Sequence, residues 1–364
     1  MEQYWIWLSS VESIGVRRFY QLLSVYEDAR SVWDALGAGG CSPEMRFLGP
    51  SALRTLRAAR DEGYFYRLFD QLDRLGIRAV TRASEDYPGR LTAIYDPPPT
   101  LYVRGECPLD MERMFAVVGS RRCTRDGRRA AREIAAGLAG ADVAVVSGLA
   151  RGIDTHAHEG ALSVHGRTVA VLGSGVDIAY PPENEGLMRR IIDEGGAVVS
   201  EFRPGMQPLP GNFPQRNRII SGLCEGTLLV EGAKKSGAMI TVNCALEQGR
   251  DVFAVPGGIY SPLSATPNRM IVDGATPVLS PWEILEYYHW AKRPESPEDN
   301  PHRELQLSED ESALVEPLRE QELSFEELTQ ITGFSPAKLN SHLTMLELRG
   351  IIMKVPGGMY RAYL

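Results

Sequence analysis

The segment Phe213-Pro-Gln-Arg-Asn-Arg218 holds an aromatic ring, two arginines and an asparagine within six residues. Arginine forks bind phosphate oxygens bidentately, and an open aromatic face stacks on a nucleobase. Gly119-Ser120-Arg121-Arg122 follows a short apolar run and adds two more guanidinium groups. Glycines at Gly119, Gly148, Gly173 and Gly257 all sit just after apolar runs. A glycine lets an anion approach backbone amides, and a helix starting nearby favours negative charge. Together these residue types suit single-stranded nucleic acid better than a nucleotide cofactor. Each has a plainer alternative. Arg216 or Arg218 is equally an internal ion-pair partner of Glu201 or Glu231. Phe213 is equally a core residue, and the glycines equally serve tight turns.

Catalytic constellations are thin. Ser147, Asp154 and His158 share the motif SGLARGIDTHAH, without a GxSxG elbow. Asp154 and His158 stand at i and i+4, which reads as a helix N-cap and a hydrogen-bonded histidine. His156 and His158 point to opposite sides of a helix, so they make a poor metal pair. Leu172-Gly-Ser-Gly-Val176 approaches GxGxxG but has Ile178 in place of the third glycine, and GxxxxGK[ST] is absent. No cofactor and no metal are expected. Cys41, Cys107, Cys123, Cys224 and Cys244 are scattered without a CxxC pair. They read as reduced, mostly buried thiols.

The elements that must position these residues fall into three groups. Apolar spacing near 3.6 predicts helices at Tyr4–Ser9, Val16–Tyr26, Ala29–Leu36, Ser51–Asp61 and Tyr64–Leu75. Ser13–Val16 before the second helix also fits half of a helix-hairpin-helix. The proline-rich stretch 83–110 precludes regular helix at Pro97–Pro99, and Leu101–Arg104 reads as an edge strand. From Phe115 onward, short apolar runs alternate with helical patterns. Strands are expected at Phe115–Val118, Val143–Val146, Thr168–Leu172, Ala197–Ser200, Thr227–Val230 and Asp251–Val255. Helices are expected at Asp126–Ala139, Asp154–His165, Glu185–Glu194, Arg216–Leu223 and Gly237–Gln248. That alternation predicts a doubly wound, Rossmann-like parallel sheet, whose ligands bind at strand carboxyl ends. Residues 291–308 read as a charged linker. Residues 309–364 read as three helices and a hairpin, a winged-helix pattern. There the capping box Ser324-x-x-Glu327 opens one helix and Ser335-Pro336 opens the next, which runs to Arg349 and ends at Gly350.

The chain has 364 residues and a net charge of −8, with a pI near 5.4. Taken whole, that argues against a phosphate-bearing partner. The charge is uneven, however. From Pro294 to Glu327 there are 12 acids and 2 arginines, so 2 − 12 = −10. The remainder carries −8 − (−10) = +2, and 7 arginines against Asp126 fall between Arg113 and Arg132. The acidic balance therefore describes the tail segment and leaves a locally basic centre. No apolar run approaches the ~20 residues of a membrane helix, and the first residues lack a signal-peptide pattern. A cytoplasmic location without membrane insertion is expected.

A series of motifs closes the reading: YPxxLxxIxDPP at Tyr87–Pro98, LYVRG at Leu101–Gly105 and VVGSR at Val117–Arg121. SGLARGID at Ser147–Asp154, FPxRNR at Phe213–Arg218, SGAMIT at Ser236–Thr241 and VPG at Val255–Gly257 follow in order. The series resembles the bacterial DNA-processing protein A family (DprA, also called Smf). The resemblance implies a Rossmann-like core that binds single-stranded DNA without hydrolysing it. It further implies protection of incoming strands, loading of the RecA recombinase in natural transformation, and a homodimer built through the Rossmann-like domain. An N-terminal SAM-like helical domain over 1–82, a core over 83–290 and a C-terminal winged helix would complete the chain. The implied DNA-binding set is Gly119, Ser120, Arg121, Arg122, Gly148, Phe213, Arg216, Asn217, Arg218, Ser236 and Gly237. Two alternatives stand beside it. One is a Rossmann-like nucleotide hydrolase, suggested by Val255-Pro-Gly-Gly258. The other is a winged-helix duplex binder reading through Lys338, His342 and Arg349, with Glu347 opposing them.

Overall fold

The computed structural model describes residues 2–37, 43–233, 236–293, 307–348, 351–355 and 357–362. The chain divides into two compact units, Met1–Arg293 and Pro294–Leu364. Most of the expected linker, and with it Cys41, Arg349 and Gly350, lies outside the described residues.

The first unit opens on helices α1 (Glu2–Ser10), α2 (Val16–Tyr26), α3 (Ala29–Gly37), α4 (Gly49–Ala59) and α5 (Glu62–Arg74). Their apolar faces meet in one cluster around Trp7, Phe19, Leu22 and Leu56. The Trp7 indole N–H donates to the Ala59 carbonyl at 2.7 Å, satisfying the buried ring nitrogen. This is a small helical bundle.

The rest of the unit is a nine-stranded sheet. Its strands are β1 (Arg78–Thr81), β2 (Thr100–Gly105), β3 (Met114–Val118), β4 (Ala144–Ser147), β5 (Thr168–Val171), β6 (Ala197–Ser200), β7 (Gly226–Leu229), β8 (Asp251–Ala254) and β9 (Thr276–Pro277). The order is β1-β2-β6-β5-β4-β3-β7-β8-β9. From β6 to β9 every pairing is parallel, whereas β1 and β2 add antiparallel pairs. Two expectations change here. Leu101–Arg104 is not at the edge, because β2 lies between β1 and β6. The sheet also starts at Arg78, inside the segment assigned to the N-terminal helices. An isolated four-residue strand such as Arg78–Thr81 carries no periodicity of its own; its partner β2 defines it.

Helices α6 (Gly89–Thr92), α7 (Arg125–Gly140), α8 (Ile153–Leu162), α9 (Glu185–Asp193), α10 (Asn212–Gly222), α11 (Ala238–Glu247), α12 (Ala265–Val272) and α13 (Pro281–Tyr287) connect and cover the strands. Side chains alternate across the sheet, as the pleat requires. Along β3, Met114, Ala116 and Val118 join a cluster with Ile219 of α10 and Val242 of α11. Phe115 and Val117 join the opposite cluster with Ile134 of α7 and Ala157 of α8. Chain order runs outward from β3 to β6 in one direction, then jumps to β7 on the other side. The β3/β7 boundary is thus the topological switch point.

The second unit holds α14 (Glu309–Glu320), β10 (Leu323–Ser324), α15 (Phe325–Thr332), α16 (Pro336–Leu348), β11 (Ile352–Val355) and β12 (Met359–Ala362). A three-stranded sheet of order β10-β12-β11 packs with the helices around Leu318, Leu328, Leu339 and Leu343. The Ser324 capping box with Glu327 is formed, as its sequence predicts. This unit is a winged-helix domain.

Candidate nucleic-acid interface

A cleft of about 680 Å³ opens at the switch point. Its walls come from the loops after β3, β4, β7 and β8 and from the start of α10. Gly119, Ser120, Arg121, Arg122, Phe213, Arg216, Asn217, Ser236 and Gly237 all line it. Gly148 lines a small recess alongside, together with Arg121, Phe213 and Arg216.

The β3–α7 loop carries the exposed arginines. Thr124 caps α7, its hydroxyl accepting from the Gly127 amide at 2.9 Å. Glu231, just after β7, holds the same residue: its carboxylate accepts from the Thr124 amide at 2.9 Å and the Thr124 hydroxyl at 2.6 Å. The Ser120 amide donates to the Glu231 carbonyl at 2.8 Å. A Cβ at Gly127 would stand 2.3 Å from the Glu231 carboxyl carbon, so only glycine admits this clamp. Glu231 is therefore engaged with the loop and unavailable to Arg216 or Arg218. Arg121 and Arg122 are exposed and form no ion pair among the described residues.

Facing that loop is Phe213, in the first turn of α10. The helix begins at Asn212, four residues earlier than its apolar spacing predicts, so Phe213 and Arg216 share one rigid element. The Phe213 ring packs on Tyr180 with centroids 5.3 Å apart. The Arg121 guanidinium carbon stands 5.6 Å from the Phe213 centroid. Gly173 lies under the ring, where a Cβ would be 3.0 Å from it. The result is a half-exposed aromatic surface bordered by a cation, not a core packing position.

Arg216 forms the floor. It is buried, and its Nη1 donates to the carbonyls of Gly148, at 2.8 Å, and Val171. Its Nε donates to the Asn217 side-chain oxygen at 3.1 Å. The neighbouring carboxylate is Asp154, whose Oδ2 accepts from the Gly148 amide at 3.1 Å. Asp154 was expected to cap α8, but Gly152 occupies the cap position and the carboxylate reaches back to β4 instead. Burial raises the Asp154 pKa to about 6, opposed by Arg216. Burial lowers that of Arg216 to about 10, with Asp154 offsetting it in part. Arg216 thus keeps its charge at the base of the cleft. A Cβ at Gly148 would lie 2.7 Å from the Arg216 Nη2. The space this glycine leaves is filled by a guanidinium and not held open for a phosphate.

His158 sits deeper on α8, its Nδ1 2.7 Å from the Thr168 hydroxyl. Burial first, and then Arg216, lower its pKa to about 3. It is a neutral core histidine. Ser147 donates to the Val117 carbonyl at 2.7 Å, so it too serves packing.

Arg218 is the one residue of the expected set that lines neither the cleft nor the recess. Its Nη2 stands 2.7 Å from Glu201 and its Nε 2.9 Å from Asp96. Residues two apart on a helix differ by about 200° in direction, so Arg216 and Arg218 cannot share a target. Conversely, Tyr180 and Ile240 line the cleft without having been singled out. Tyr180 lies in an irregular Tyr-Pro-Pro segment, and only tertiary packing brings it to Phe213.

A cleft at the switch point of a doubly wound sheet, walled by an aromatic pair and by free and buried arginines, defines a Rossmann-like ligand-binding protein with a helical domain before it and a winged helix after it. Comparison with known proteins narrows this. The family model described as DNA recombination-mediator protein A matches residues 78–289. The DprA winged helix domain model matches residues 296–358. The chain belongs to the DprA family. It is 42% identical to Protein Smf of Escherichia coli over 289 residues, covering 76% of this chain and 75% of that protein. It is 37% identical to the DNA processing protein DprA of Streptococcus pneumoniae over 270 residues, 74% of this chain and 93% of that one. Among solved structures, DprA of Streptococcus pneumoniae matches with a TM-score of 0.64 at 34% identity, covering 78% of this chain and 95% of that one. DNA processing protein A from Helicobacter pylori, whose structure is described by its single-stranded DNA binding mode, matches with a TM-score of 0.53 at 25% identity, covering 58% and 95%. The Streptococcus pneumoniae and Bacillus subtilis relatives are named as DNA-processing proteins.

Proposed function

We propose that this chain binds single-stranded DNA in the switch-point cleft and acts as a non-hydrolytic binder. The observation that carries the reading is the Phe213 ring, set against Tyr180 and bordered by Arg121 above the buried Arg216. An unpaired base would stack on that ring, which a base inside a duplex cannot do. The flanking phosphates would meet Arg121 and Arg122, with the Arg216 charge beneath. Gly119, Ser120, Asn217, Ser236 and Gly237 form the polar and backbone lining. Arg218 braces α10 and stays outside the contact set.

Loading of the RecA recombinase on single strands, a role in natural transformation, a homodimer through the Rossmann-like domain and a cytoplasmic setting are what family membership suggests. They are part of the proposal.

A winged helix also suggests duplex reading. Here the basic residues of α16 are held internally: the Lys338 Nζ is 2.7 Å and the His342 Nε2 3.9 Å from Asp310 of α14. That favours protein docking or autoregulation over base readout for this domain.

The test is fluorescence anisotropy of the full chain with single-stranded and duplex DNA across a salt titration. Preference for single strands, lost in Phe213→Ala, is the expected result. Equal affinity for duplex, or wild-type affinity in a folded Phe213→Ala protein, would overturn it. RecA filament growth on strands coated with single-strand-binding protein tests the loading role, and no acceleration would remove it.

A further inference from the structure

Helix α7 carries its charge against its own backbone. A helix is positive at its N-terminus, so acids are favoured in the first turn and bases in the last. In α7, Arg125 and Arg128 stand in the opening turns against Asp126, and the last turn has no basic residue. At about 100° per residue, Arg125, Arg128, Arg129 and Arg132 fall within one strip about 100° wide. All four are exposed. Like charges three and four residues apart repel. Glu133 engages only Arg129, at 2.7 Å. Among the described residues, Arg125, Arg128 and Arg132 have no ion pair. Helix dipole and charge spacing both disfavour this arrangement, and a locally inconsistent segment points to a requirement outside folding.

The strip is continuous with the cleft. Arg121 and Arg122 line the cleft, Cys123 and Thr124 follow, and Thr124 caps α7. Arg125 to Arg132 then spans seven residues, about 10 Å along the helix axis. A polyanion that leaves the cleft past Arg122 meets three more cations in a row.

We propose that this face of α7 is a track for the phosphodiester backbone of the same single strand, extending the contact beyond the base-accepting cleft. The proposal rests on the cleft binding single-stranded DNA. The cleft would hold a base by stacking, and the track would hold phosphates by charge alone. It would be indifferent to sequence and strongly dependent on salt.

The experiment uses the full chain and labelled oligothymidylates of increasing length, read by anisotropy between 50 and 200 mM salt. Three proteins are compared: wild type, R125Q/R128Q/R132Q, and the control R67Q/R74Q/R189Q, which removes three exposed, ion-paired arginines elsewhere. At the shortest binding length the three should be equal. With longer strands wild type and control should gain affinity, and the track variant should not. Three lost contacts at about 0.7 each lower the salt slope by about two, so wild type loses roughly 20-fold more affinity than the variant over that fourfold salt range. The variant should melt at the wild-type temperature or above, since its substitutions relieve repulsion. An unchanged slope and length dependence in the track variant overturns the track while leaving the cleft standing. An equal loss in the control, or a variant defect on duplex as large as on single strands, also overturns it. Absence of single-strand binding by wild type overturns both readings together.

Discussion

The two units each place basic side chains at or near a helix start, yet only one leaves them available. On the β3–α7 loop, Arg121 and Arg122 are exposed and unpaired among the described residues, while the carboxylates of Glu231 and Asp154 are committed to backbone amides. On α16, Lys338 is paired with Asp310 and lies 4.1 Å from the centroid of Phe334. A count of charges separates the two helix starts less than a count of free charges does. An anion-binding surface requires the second. The opening contrast in the sequence, an acidic tail and a basic centre, acquires a structural form here: part of the tail's acid sits on α14 and neutralises the helix that a winged helix ordinarily offers to a duplex.

The largest test of that contrast is Phe213→Ala. Loss of one stacking partner is expected to cost about 1–3 kcal/mol of single-strand affinity, while duplex binding by the whole chain stays unchanged. Anisotropy titrations with both ligands check it.

A second test reads the buried side of the cleft. The folded His158 pKa of about 3 lies below its ordinary value of 6.5. A depressed group contributes stability present above pH 6.5 and lost as pH falls toward 3. Asp154 runs the other way: its raised pKa of about 6 means stability is gained as pH falls from about 6 toward 4. In wild type the two oppose each other between pH 6 and 4. His158→Asn removes one side, so its stability should rise relative to wild type by about 1.4 kcal/mol for each pH unit below 6.5. Denaturant melts of the first unit's transition at pH 7, 6, 5 and 4 check the slope, and parallel curves would refute the assignment.

Arg121→Ala should act more mildly, lowering the salt slope by about 0.7 and affinity several-fold. The smallest effect is expected on the other side of the comparison. Asp310→Asn frees Lys338, and because the pair is half-exposed the gain in duplex affinity at low salt should stay under about 1 kcal/mol. A large gain would show that α16 is a duplex reader held in check.

Most of the framework was legible because periodicity is a local property. The strands from Phe115 to Val255 and most helices between them emerge within a residue or two of their predicted bounds, except that α8 ends three residues early and α10 begins four residues early, and the glycine-ended βα loops locate the switch point. What escaped depends on partners distant in sequence. Arg78–Thr81 becomes a strand only against Thr100–Gly105. Asp154 has the type and position of a cap, yet the cavity beside Gly148 and Arg216 draws its carboxylate elsewhere. Tyr180 had no pattern to announce it. Arg218 was separable in principle, since helical spacing sets it well away from Arg216, but its partners Glu201 and Asp96 are 17 and 122 residues away.

The clamp at Glu231 has a kinetic consequence. Its carbonyl and carboxylate pin the arginine-bearing loop at both feet, at Ser120 and at Thr124. Such a loop has few alternative shapes to abandon when a strand arrives, so little ordering entropy opposes capture. Encounter should then be limited by diffusion and electrostatic steering and not by loop closure. Selectivity among strands would be expressed mainly in how long they stay. Releasing the clamp with Glu231→Gln should slow arrival before it hastens departure, a signature that stopped-flow mixing can resolve.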